Sequence, residues 1–89
     1  MKIVGVEHRT GNYKGFDYDN YLIHTLDEAP FGACIAGGLT DIYKIKARAV
    51  REVFGGEIEQ ESDFSKIIGR SAKILCDKYG NPLLVELID

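Results

Sequence analysis

Tryptophan is absent from this chain, methionine occurs once and proline only twice. No apolar run approaches the roughly 20 residues that cross a bilayer, so no membrane passage is expected. The opening Met1-Lys2-Ile3-Val4-Gly5-Val6-Glu7 is too short and too soon acidic for a secretion signal, which makes a cytoplasmic location the expectation. Cysteine is scarce as well. Cys34 and Cys76 stand far apart in apolar surroundings and read as buried thiols. A disulfide does not fit a cytoplasmic chain, and without a C-x-x-C or a histidine pair no metal site is expected. A nucleophile elbow, a phosphate-cradling glycine loop, H-E-x-x-H and G-x-G-x-x-G are all missing. The expectation is therefore a non-enzyme with no cofactor and no small-molecule substrate.

Positive charge is in deficit overall, with 11 Lys and Arg against 14 Asp and Glu. Its distribution matters more than its sum. Lys44, Lys46, Arg48 and Arg51, offset only by Glu52, make one short stretch basic, and Glu57, Glu59, Glu61 and Asp63 follow at once as an acidic one. Such polarity leaves an acidic protein with one basic face. At 89 residues, with 45% hydrophobic and 28% charged, the chain is one folded domain over 1–89 with a small core.

What is present is mostly β pattern. Alternation over Lys2 to Arg9 gives a first strand, with Val4, Val6 and His8 opposite Gly5, Glu7 and Arg9. Thr10 to Asn20 is rich in turn formers. Tyr21 to Leu26 forms a second strand, ended by Pro30. Phe31 to Gly38 is a loop or a bulged start to a strand. Leu39 to Ala47 is the third strand, after which Ala47, Val50, Arg51 and Phe54 fall at helical spacing up to Gly55-Gly56. Glu57 to Ser62 reads as solvated. Asp63 can N-cap a second short helix carrying Phe64, Ile67 and Ile68 on one face and closed by Gly69. Ser71 to Asp77 and Leu83 to Ile88 make a closing hairpin around Tyr79-Gly80-Asn81-Pro82.

The order β-β-β-α-β-β is mainly β with one or two short helices. It matches a five-stranded OB-like Greek-key barrel. Several strands are apolar on both sides, which points to a further buried surface against the helix or a second copy.

The stretch from His8 to His24 stands out. Tyr13, Phe16, Tyr18 and Tyr21 are interleaved with Arg9 and Lys14, on what reads as a long hairpin arm around an exposed loop. Rings that stack on bases and cations that follow phosphates are how single strands are held without sequence reading. Lys44, Lys46, Arg48 and Arg51 extend the cationic set. Asp17 and Asp19 oppose it, since both repel phosphate. Asp17-Tyr18-Asp19-Asn20 lacks the later Gly and Glu of a calcium loop and reads as an acidic turn. His8 and His24 are expected opposite each other across the first hairpin, half-buried and hydrogen-bonded.

In size, strand order, tyrosine-rich arm and closing Tyr79-Gly80-Asn81 hairpin, the chain resembles the small helix-destabilising, single-stranded DNA-binding proteins of phages and mobile elements, the gene V type. The resemblance covers nearly the whole chain as a pattern and rests on no strict motif. It implies a homodimer that coats single-stranded DNA. The net negative charge and the acidic segment after Gly56 depart from it. The rival expectation is a protein-interaction or assembly module that forms homo-oligomers through the aromatic hairpin.

Overall fold

The computed structural model describes residues 1–28 and 38–88. The expected loop over 31–37 and Cys34 lie outside them. Five strands form one antiparallel sheet: β1 (Lys2–Tyr13), β2 (Phe16–Glu28), β3 (Gly38–Lys46), β4 (Ser71–Cys76) and β5 (Pro82–Ile88). Between β3 and β4 lie a 3₁₀ turn at Ala47–Ala49, the single-turn helix α1 (Val50–Val53) and a 3₁₀ segment at Glu61–Lys66. The mainly β reading and the β-β-β-α-β-β order stand. The sheet, in the order β3-β2-β1-β4-β5, is not closed into a barrel.

The first two strands are longer than alternation implies, and the reason lies at their junction. Lys14 and Gly15 both have positive φ, 52° and 84°, the pair of left-handed conformations that a type I′ turn requires. A two-residue turn of this kind twists with the strands it joins. The ladder therefore runs without a loop from Tyr13↔Phe16 down to Lys2↔Leu26. Asn12 ties the turn, accepting from the Gly15 amide at 3.2 Å and donating to Asp17 at 2.9 Å. The expected exposed loop over Thr10 to Asn20 is thus strand, and Asp17 and Asp19 lie on it rather than in an acidic turn.

One irregularity interrupts β1. The register shifts between Ile3 and Gly5, so Val4 bulges out, 44% exposed, instead of sharing the inner face with Val6. The meander β1-β2-β3 meets the β4–β5 hairpin at a narrow seam. Lys2↔Ser71 is its sole ladder pair, flanked by bonds of Ile3 N to Arg70 O (3.0 Å), Gly69 N to Ile3 O (2.7 Å) and Ala72 N to Met1 O (2.8 Å).

The core fills the inner side of the sheet. Ile3, Ile23 and Ile45 from the meander and Ala72 and Val85 from the hairpin meet Val50, Val53, Phe54, Ile58, Phe64 and Ile67 from the connection. The helical spacing of Val50 and Phe54 is thereby accounted for. Ile58 is buried inside the stretch expected to be solvated, while Ile68 is exposed. Asp63 caps the 3₁₀ segment from its third residue, not as the N-cap. Its carboxylate accepts from the amides of Glu59 (3.0 Å) and Gln60 (3.1 Å) and pairs with Lys66 (3.0 Å). Those bonds hold its pKa below the ordinary 3.8. Asp77 organises the β4–β5 turn similarly, accepting from the amides of Tyr79 (2.8 Å) and Asn81 (2.9 Å).

On the outer side of β4–β5, Leu75, Leu84 and Ile88 remain exposed, and nothing in this chain covers them among the described residues. Cys76, expected buried, is exposed too: it faces inward by alternation, but a register shift next to Leu75 ends the regular ladder there.

Candidate nucleic-acid interface

In an antiparallel ladder paired residues share a face, and the face alternates along each strand. The register of β1, β2 and β3 therefore sorts the arm into two surfaces. On the outer one, successive rows are Gly5, His24 and Ile42; Glu7, Leu22 and Lys44; Arg9, Asn20 and Lys46; Gly11 and Tyr18; Tyr13 and Phe16. On the inner one are Val6, Ile23 and Tyr43; His8, Tyr21 and Ile45; Thr10 and Asp19; Asn12 and Asp17.

This sorting brings six of the sequence-predicted site residues onto one side: Arg9, Tyr13, Phe16, Tyr18, Lys44 and Lys46. Their rings are open to solvent, Phe16 by 79%, Tyr13 by 66% and Tyr18 by 44%. Tyr18 is the least exposed because it lies across Gly11, where any Cβ would run into its ring. Glycine at position 11 gives the tyrosine a flat seat, and the seat fixes the ring's orientation. At the tip, the Lys14 ammonium sits 5.4 Å from the centre of the Tyr13 ring, a cation–π contact that holds a charge beside an open stacking surface.

Asp17 and Asp19 point to the inner side, the first bonded to Asn12 and the second to His8 at 2.5 Å. In the outer rows from Gly5 to Phe16 the acid is Glu7, which meets His24 at 2.5 Å and Arg9 at 3.3 Å. The His24 hydrogen bond holds Glu7 below its ordinary 4.5, with Arg9 contributing. Among the described residues, no carboxylate pairs with Lys14, Lys44, Lys46 or Arg48.

Where β3 stops at Lys46, β2 runs on paired only with β1, and a groove of about 480 Å³ opens between its edge and the 3₁₀ turn. Tyr18, Asn20, Lys44, Lys46 and Arg48 line it, with Asp17 and Asp19 on its inner wall. Arg48, from the connection, shares this groove with Lys44 and Lys46.

Two predicted residues are not brought there. Arg51 is on α1 and faces Glu59 at 3.7 Å. Tyr21 is on the inner side. Its ring stacks on His8 at 4.4 Å and meets Phe64 at a tilt at 4.7 Å, so it packs against the core instead of joining the open rings. His8 and His24 do not face each other either. They take opposite sides, His24 half-buried as expected and His8 exposed, both bonded to carboxylates, His8 to Asp19 and Glu61 and His24 to Glu7.

Sequence reasoning left out Asn20, which sits between Arg9 and Lys46, and Leu22. It also left out an exposed ring–cation pair at the other end, Lys78 at 5.0 Å from the Tyr79 ring. Strand parity carried to Asn20 would have found the first. Among the described residues no three His, Cys, Asp or Glu side chains gather as a metal-holding group, and no helix is long and apolar enough to cross a membrane. No protein-family model, curated protein or solved structure matches this chain.

Proposed function

We propose that this chain binds single-stranded DNA on the outer face of its meander. The observation that carries the reading is the separation made by the pleat: three open rings and three cations on one side, Asp17 and Asp19 on the other. Tyr13, Phe16 and Tyr18 stack on bases, Arg9, Lys44, Lys46 and Arg48 follow the phosphates, and Lys14 guards the tip. Small OB-type barrels use the face of their second and third strands and the loop between the first two for oligonucleotides. The same regions are the ring- and cation-bearing ones here, and the open strand order is that of such a barrel with the join between β3 and β5 left unmade. The negative total charge does not oppose this, because screening over about 8 Å at physiological salt makes the local face decisive.

The test is a fluorescence anisotropy titration with oligothymidylate in a salt series. Tyr18→Ala removes one stack of about 1–3 kcal/mol and weakens binding roughly 5- to 150-fold. Lys44→Ala and Lys46→Ala each flatten the log–log salt slope by about 0.7. Arg51→Ala leaves affinity unchanged. Absence of binding at low salt, or equal losses from Arg51→Ala and Lys46→Ala, overturns the reading.

A further inference from the structure

The edge of β1 that faces away from β2 has a ladder partner only at Lys2, where it meets Ser71. From Gly5 to Tyr13 that edge has no ladder partner among the described residues. Sheets that keep such an edge solitary usually place proline, lysine or a bulge along it, and this stretch, GVEHRTGNY, contains neither proline nor lysine, with the bulge lying before it at Val4.

The two-residue turn makes Tyr13 and Phe16 a hydrogen-bonded pair, and alternation then fixes the rest. Gly5, Glu7, Arg9 and Gly11 spend their backbone groups on β2. Val6, His8, Thr10 and Asn12 aim theirs outward.

We propose that two copies of the chain join through this edge, β1 against β1, antiparallel about a two-fold axis at His8. In that register His8 meets His8 of the second copy, and Val6 meets Thr10 of the second copy, so every outward-aimed group from Val6 to Thr10 finds its complement. Glu7 faces Arg9 of the second copy, and the symmetry repeats the pair. Gly5 faces Gly11 at each end, and the pairing stops there because the Ile3 backbone already bonds Arg70 and Gly69. An axis between two residues would aim amides at side chains, and an axis at Glu7 or Arg9 opposes like charges. Hydrogen-bond parity thus requires an axis on a residue, and charge disfavours the two neighbours of His8. The axis stands perpendicular to the sheet, so the outer faces of both meanders end on one side. Assembly here runs along the edge of β1 and not through the aromatic tip.

The test is sedimentation of the whole chain without DNA. The native chain runs at the mass of two chains. Glu7→Arg and Arg9→Glu each oppose like charges at both symmetric positions and give folded single chains; the combined Glu7→Arg/Arg9→Glu variant returns to two. Thr10→Pro removes one outward amide while sparing the ladder to β2, and is also a single chain. Circular dichroism on each variant separates loss of pairing from loss of fold, and the charge exchange decides the matter if Thr10→Pro does not fold. A native chain that stays single, or a double variant that fails to recover while remaining folded, overturns the proposal. Oligothymidylate binding by the single-chain Thr10→Pro variant, which changes no ring or cation of the DNA face, is a separate readout, so this interface and the DNA reading fail independently.

Discussion

Lys14 occupies a backbone position that a lysine seldom takes. Its φ of 52° costs a side-chain-bearing residue about 1–2 kcal/mol, while asparagine adopts it more readily. A cation there places charge beside the Tyr13 ring at the expense of the turn. Lys14→Asn is therefore expected to stabilise the fold by about 0.5–1 kcal/mol, raising the thermal midpoint roughly 2–8 °C, and to weaken oligothymidylate binding in the same preparation. A midpoint that stays or falls would remove the strain argument. Much at this scale was legible without coordinates. The rings and cations of the arm and the basic pair Lys44 and Lys46 stand plainly in the sequence. What misled was adjacency along the chain. Asp17 and Asp19 flank Tyr18 and read as its opponents, but once Thr10 to Asn20 is strand, alternation sends them to the other side. Tyr21 differs from Tyr18 by an odd step, and that parity alone gives it to the core.

Between elements, the inner face of the arm is fastened to the connection by His8. Its Nε2 meets Asp19 on the neighbouring strand and its Nδ1 meets Glu61 at 3.0 Å, while its ring lies on Tyr21, which in turn rests on Phe64. The hydrogen bond to Asp19, helped by the charges of Asp19 and Glu61, raises the His8 pKa above its ordinary 6.5. A raised histidine binds its proton more tightly folded than unfolded. Its stabilisation is therefore complete below pH 6.5 and lost as pH climbs through the raised value. The thermal midpoint should fall across that window, and His8→Gln should flatten the fall. A profile identical to the native one would show that the clamp carries no weight. None of this could be read from the chain, because His8 and Glu61 lie 53 residues apart and the acidic segment reads as solvated. The short helix was legible from Val50 and Phe54, whereas the burial of Ile58 was not: one isoleucine among carboxylates carries no period.

Across the whole molecule, the number and order of strands followed from alternation and turn residues, since each strand is bounded locally. Closure did not follow. Whether β3 and β5 join depends on long-range curvature that no local pattern encodes, and the sheet here stays open. The seam at Lys2↔Ser71 has a consequence of its own. Side chains such as Ala72 and Val85 bind the closing hairpin to the rest, but almost no backbone ladder does. In deuterium exchange, the amides of β4 and those of β5 after Pro82 should therefore trade their protons as one early cohort, at a lower opening free energy than those of Ile23 and Ile45. Uniform protection across all five strands would refute that. Such a hinge lets two fifths of the sheet's width swing without melting the arm, so the gap between the outermost strands can widen or narrow as thermal motion dictates.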